Sequence, residues 1–291
     1  MEYGSQSMVG KLRRVIVRAP DRSFADADPE EWHYASRPDF AGAVVEHEAF
    51  VDVLKKAGVE LIWHDEPLPG LADAIFTHDS ALVTNFGSII LRMSKKLREG
   101  EEEAMAGLLS RIGIPELGRL RGDARAEGGD LLWLDEQTLA VGVGVRTNSE
   151  GAAQLGDILA PIGASVLAFD LPYYQGPDAC LHLMSLVSMI DDDLAVAFPP
   201  LMPVRLIREL KDRGIRLIEV PEDEFTNGQA TNVLALAPRD VLLLEGNSVT
   251  EQGLRDAGCR VATYRGDEIT RKAEGGATCL TRPVLRDSTG R

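Results

Sequence analysis

The chain has 291 residues, 44% of them hydrophobic and 26% charged, with a formal net charge of −15. That balance suits one large globular domain or two ordinary ones, and the acidity leaves no basic face for a nucleic acid. The 3 cysteines, Cys180, Cys259 and Cys279, form no CxxC pair, which argues against a disulfide framework or a structural zinc site and for a reducing cytoplasm.

Met1 to Gly10 is small and polar and lacks the apolar core of a signal peptide. It reads as a loose lead-in, with Met8 a second candidate start. The first β-type run is LRRVIVRAP, residues 12–20. An amphipathic helix, EHEAFVDVLKKAG, follows at 46–58, with Phe50, Val53, Leu54 and Ala57 on one face and Gly58 at its end. The strand VELIWHDE comes at once. Next is a hairpin pattern, ALVTNFGSIILRM, turning at Asn85-Phe86-Gly87.

The same order then recurs. The acidic run Glu101 to Glu103 favours a helix N-terminus, and that helix ends at Gly113 before IPELGRL. The hairpin GDLLWLDEQTLAVGV turns at Asp135-Glu136; its helix ends at Gly163 before ASVLAFDLP. The hairpin LMSLVSMIDDDLAVAF turns at Asp191 to Asp193; its helix ends at Gly214 before IRLIEVPE. The hairpin TNVLALAPRDVLLLE turns at Pro238-Arg239-Asp240; its helix ends at Gly258 before CRVATYRGDE. The last run, ATCLTRPVLRD, would pair with the first, LRRVIVRAP, and close the array. The last residues, Asp287 to Arg291, read as an unstructured tail.

Five hairpin–helix–strand units on one repeat imply an α/β ring with pseudo-fivefold symmetry and no free repeat end. We expect a single domain covering 1–291, with the repeats at about 11–287 and short flexible termini. No apolar run approaches the roughly 18–20 residues that span a bilayer, so no membrane partner is expected.

Equivalent loops of such a ring converge near its axis, so chemistry should sit just before each hairpin. Asp73, His78 and Asp79 precede the second hairpin, Glu127 and Asp130 the third, His182 the fourth, and Cys279 stands in the closing strand run. A thiol with an imidazole and carboxylates is the set needed for nucleophilic attack with proton transfer. Cys180 and Cys259 read as buried hydrophobes, and His33, His47 and His64 as surface or packing residues.

FTHDSALV, EGGDLLWL with VGVRTN, HLMSLVSM and GGATCLT, in this order, resemble the guanidino-group-modifying enzymes. These are arginine deiminases, amidinotransferases and dimethylargininases, built as five-bladed ββαβ α/β-propellers (penteins). The resemblance implies Cys279 as nucleophile, His182 as general acid/base, and Glu127 holding the cationic group and the histidine. It further implies Asp79 on the guanidinium, Arg146 on a substrate carboxylate, and Arg98 and Asp73 as further substrate contacts. No metal or organic cofactor is implied. The partner would be a small guanidino or ureido compound, and a homo-oligomer stays open.

Three departures bear on the substrate. Met184 stands where deiminases have an acid, which favours a dimethylargininase-like enzyme and a methylated guanidine. His78 replaces an acid usual in dimethylargininases, leaving room for another guanidine or a ureido compound. Thr278 stands where many deiminases have histidine. The expected reaction is C–N hydrolysis through a covalent thiouronium, with dimethylarginine giving citrulline and dimethylamine. The alternatives are an amidinotransferase, an arginine deiminase or citrulline-type ureido hydrolase, and, from a different class, a noncatalytic pentein.

Overall fold

The helix ends explain the repeat. Gly58, Gly113, Gly163, Gly214 and Gly258 have φ between 76° and 83°, and a β-carbon at any of them would meet nothing within 4 Å. Left-handed backbone, not space, therefore selects glycine there. After each glycine the next amide donates to a leucine carbonyl five residues back: Val59 to Leu54, Ile114 to Leu109, Ala164 to Leu159, Ile215 to Leu210, Cys259 to Leu254. All ten of these residues are buried. This is a Schellman cap with its apolar contact, repeated five times. Cys259 is thus the fifth repeat's capping hydrophobe, the counterpart of Val59 and Ile215.

In this computed structural model, which describes residues 2–178 and 181–288, the strands are β1 (Leu12–Val17), β2 (Glu60–Trp63), β3 (Ala81–Thr84), β4 (Gly87–Ile90), β5 (Glu116–Arg119), β6 (Leu131–Asp135), β7 (Thr138–Val143), β8 (Ser165–Asp170), β9 (Val187–Asp191), β10 (Leu194–Ala197), β11 (Arg216–Glu219), β12 (Leu234–Ala237), β13 (Asp240–Leu244), β14 (Arg260–Tyr264) and β15 (Arg282–Arg286). They form five three-stranded sheets: β15-β1-β2, β3-β4-β5, β6-β7-β8, β9-β10-β11 and β12-β13-β14. In each, the middle strand pairs antiparallel with its hairpin partner and parallel with the strand after the helix. The chain termini share the β15-β1 pair, as expected for a closed ring.

Burial orders each sheet from inside to outside. Every residue of β3 is buried, whereas none of β2, β5 or β11 is. The inner strand reads as a continuous apolar run because both faces are covered; the outer strand carries charge along its edge. The helices Phe40–Lys56, Glu101–Arg111, Ser149–Leu159, Val204–Asp212 and Ser248–Asp256 connect middle to outer strands. Among the described residues no helix is long and apolar enough to cross a membrane.

Some expectations change. The first of these helices begins at Phe40, six residues before the apolar pattern, because the Asp39 carboxylate accepts from Gly42 N at 2.7 Å and caps it. The turn after β6 falls on Glu136-Gln137, one residue later than expected, with Asp135 Oδ1 accepting from Gln137 N at 2.7 Å. Residues 2–10 are not a loose lead-in. Gly4 N donates to Val284 O and Arg286 N to Gly4 O, each at 2.8 Å, so this segment adds to the edge of β15. Asp287 is not loose tail, since its N donates to Lys11 O at 2.9 Å and Arg13 Nε donates to its Oδ1 at 2.9 Å; the expectation for Cys180 and the tail after 288 lie outside the described residues. Short helices at Arg22–Ala25, Pro29–Trp32 and Glu222–Gly228 break the repeat, and the last two border the site.

Candidate active site

The five loops that lead into the inner strands are stitched to one another in a closed belt. Gly129 N donates to Asp79 Oδ1 at 2.9 Å, and Gly128 N to Asp79 O at 3.0 Å. Leu183 N donates to Asp130 Oδ1 at 2.8 Å. The Thr231 hydroxyl donates to Ser185 O at 2.6 Å. Thr278 N donates to Asn232 Oδ1 at 2.9 Å. His78 N donates to Cys279 O at 3.2 Å and closes the circuit. Each acid or amide in the belt therefore holds the next repeat's loop, which fixes the side chains they carry.

Asp79, Arg98, Arg146, His182, Asp73 and Cys279 line one inner cavity of about 40 Å³. These are six of the eight residues expected from sequence. Glu127 is the seventh and stands directly behind. It is fully buried; Ser94 N and Lys95 N donate to Oε1 at 2.9 and 3.3 Å, and Arg146 Nη1 and His182 Nε2 lie 3.2 and 2.9 Å from Oε2. Those four partners use the carboxylate's acceptor capacity, so Glu127 positions His182 and Arg146. Burial alone would raise its pKa, but the His182 hydrogen bond and the Arg146 charge outweigh that and hold it well below the usual range.

His78, the eighth, is not brought to the cavity. Its Nδ1 lies 2.8 Å from Thr281 O, and its Nε2 3.4 Å from Arg282. Burial, then the Arg282 charge, push it down to about 3, so the ring is neutral. The ring is turned instead towards the start of β15.

Arg98 borders the cavity but is heavily committed. It donates to both Glu101 oxygens, at 3.0 and 2.7 Å, and to Asp79 Oδ2 at 2.7 Å. Within the run KKLREGEEE, Arg98 and Glu101 are buried while Lys96, Glu99 and Glu103 face solvent. Burial would raise the Asp79 pKa, but Arg98 and His182 outweigh it and hold it low. Asp73 accepts from Tyr34 at 2.8 Å and from Lys95 Nζ at 2.7 Å.

The EGGD glycines are required by close approach. A β-carbon on Gly129 would stand 2.4 Å from His182 Nδ1, and one on Gly128 would stand 2.1 Å from His78 O. The diglycine lets the belt close around the imidazole.

Sequence reasoning missed several residues. Asn232 Nδ2 lies 3.2 Å from Cys279 Sγ; it sits just before β12, where the repeat rule pointed, but an amide was not sought there. Lys95 lies 4.7 Å over the Trp32 ring, and both line the cavity with His33 and Glu274. Trp32 and His33 come from the unforeseen helix Pro29–Trp32, and no repeat signal marks them.

Residues 30–286 match the family model for N,N dimethylarginine dimethylhydrolase, eukaryotic. The chain is 27% identical over 272 residues to the N(G),N(G)-dimethylarginine dimethylaminohydrolase of Pseudomonas aeruginosa, covering 93% of this chain and 98% of that one. A solved structure of the Pseudomonas aeruginosa enzyme complexed with citrulline superposes with a TM-score of 0.77 at 25% identity, over 94% of this chain and 100% of that one. An amidinotransferase of Microseira wollei superposes with a TM-score of 0.82 at 18% identity, over 100% of this chain and 99% of that one, a likeness of fold alone.

Proposed function

We propose that this chain, which belongs to the N,N-dimethylarginine dimethylhydrolase family, hydrolyses a C–N bond of a substituted guanidine, with dimethylarginine giving citrulline and dimethylamine. The observation that carries this reading is the meeting of Cys279, His182 and Asp79 at one cavity. Around it Asp73, Asp79, Glu127 and Glu274 outnumber Lys95, Arg98 and Arg146, an excess of negative charge that suits a cationic ligand.

Asp79 holds the guanidinium by charge-assisted hydrogen bonds and orients its plane. The Cys279 thiolate attacks the central carbon while Asn232 donates to the sulfur. The C–N bond to the methylated nitrogen breaks, and His182, held by Glu127, gives that nitrogen its proton. Water then adds to the thiouronium carbon with His182 taking its proton, and the C–S bond breaks to release the ureido product. Arg146 takes the substrate carboxylate. Attack by Cys279 needs its sulfur reduced, which favours the cytoplasm.

Cys279→Ser tests this. Dimethylamine release, followed by mass spectrometry, should vanish in Cys279→Ser and persist in Cys259→Ser, and a haloacetamidine should label Cys279. Wild-type turnover by Cys279→Ser would overturn the mechanism.

A further inference from the structure

Cys279 and His182 line a second, outer cavity of about 260 Å³, against about 40 Å³ for the inner one. The reacting pair therefore stands at the junction of two spaces of different character. The inner cavity is bounded by paired charges. Ser185, Thr226, Asn227, Gln229 and Asn232 supply uncharged hydrogen-bonding side chains to the outer one, beside the apolar Leu181 and Phe225 and the charged Arg271 and Glu274. Thr226 and Asn227 belong to the helix Glu222–Gly228, the insertion that departs from the repeat.

The backbone around this space is held in unusual conformations. Tyr174, Gln229 and Glu274 have φ of 50°, 48° and 60°. They are three of the five non-glycine residues with positive φ among the described residues, and all three line the outer cavity. Such backbone is retained where the surrounding structure enforces a particular wall.

We propose that the outer cavity is a leaving-group subsite for N-substituents larger than methyl that carry uncharged hydrogen-bonding groups. The enzyme then releases polar primary amines as well as methylamines. This rests on the thiouronium reading above. The amino-acid end of the substrate lies in the inner, charged space, so a substituent on the departing nitrogen points past Cys279 into the outer one. The balance of the step is unchanged. The thiolate forms the C–S bond, the C–N bond to the substituted nitrogen breaks, and His182 supplies the proton with which the amine leaves.

The polar wall sets a preference. An alkyl group entering it displaces water from the half-buried Ser185 and Gln229 without replacing the hydrogen bonds, whereas a hydroxyl of similar length replaces them. The test compares wild-type kcat/KM for dimethylarginine, Nω-(2-hydroxyethyl)-arginine and its isostere Nω-propyl-arginine, reading the released amine by mass spectrometry. The hydroxyethyl compound should lie within tenfold of dimethylarginine and at least tenfold above the propyl compound. Thr226→Trp, and independently Asn227→Trp, should fill the space. Each should lower hydroxyethyl turnover at least tenfold while leaving dimethylarginine within threefold, which also reports correct folding. A hydroxyethyl compound more than tenfold below dimethylarginine, or no better than propyl, would overturn the subsite while leaving the hydrolase reading intact. So would equal losses on both substrates in both variants. Absence of turnover on dimethylarginine by the wild type would remove the parent reading and this one with it.

Discussion

Asn232→Ala should make Cys279 a weaker acid. The amide nitrogen lies 3.2 Å from Sγ, and the amide oxygen holds Thr278 N at 2.9 Å, so the donor is fixed in direction. A hydrogen bond to an ionised partner contributes about 1.5–3 kcal/mol. At about 1.36 kcal/mol per pKa unit, its loss raises the thiol midpoint by about one to two units. Cys279 is partly exposed, and water will replace some of the lost bond, so the lower figure is expected for alanine. Asn232→Asp keeps the acceptor for Thr278 N but sets a carboxylate against the thiolate, and should shift the midpoint further. The assay is the pH dependence of alkylation by iodoacetamide, with Cys180 and Cys259 replaced by serine so that one thiol reports. A midpoint unchanged in both variants would show that the contact does not stabilise the thiolate.

Two glycine substitutions should separate function from stability. Gly129→Ala places a β-carbon 2.4 Å from His182 Nδ1 and should lower kcat at least tenfold, while Gly163→Ala, at φ 78° in open space, should cost about 1–2 kcal/mol in denaturant midpoint with kcat unchanged; the reverse pattern would refute the assignment. Arg146→Ala strands Glu127 whatever the substrate, so the loss in kcat/KM should be roughly ten- to hundredfold larger for a carboxylate-bearing guanidine than for its decarboxylated analogue, from one lost charge-assisted pair; equal losses on both would make Arg146 structural. The pKa of Glu127 is depressed by folding, so its contribution to stability is complete above its unfolded value and is lost as the pH falls below it. Melting temperature should therefore fall more steeply from pH 5 to 3 in wild type than in Glu127→Gln, and parallel curves would count against this.

The ring was legible because its signal is local and repeated. Apolar spacing, a glycine at the helix end and a turn inside each hairpin are each decided by a few neighbouring residues. The convergence of Asp79, His182 and Cys279 followed from that repeat. What the sequence hid depends on contacts between repeats or on departures from them. His78 stands beside Asp79 in the chain, yet its ring turns to Thr281. Nothing in KKLREGEEE reveals that Arg98 and Glu101 face inward as a bidentate pair. Trp32, Thr226 and Asn227 lie on helices that the periodicity does not contain.

The belt also governs how the site can be probed. The charged groups around it are paired out of reach of solvent: Glu127 with Arg146, and Asp79 and Glu101 with the one Arg98. Removing one member of a buried pair leaves the other uncompensated, which costs about 3–5 kcal/mol irrespective of any part in catalysis. A dead Arg98→Ala enzyme would therefore say little about whether Arg98 meets substrate. Neutral changes escape this. Asn232→Ala, Gly129→Ala and Thr226→Trp alter a donor, the space behind an imidazole and the volume beside a thiol without stranding a charge. Their effects on rate carry no cost of a stranded charge.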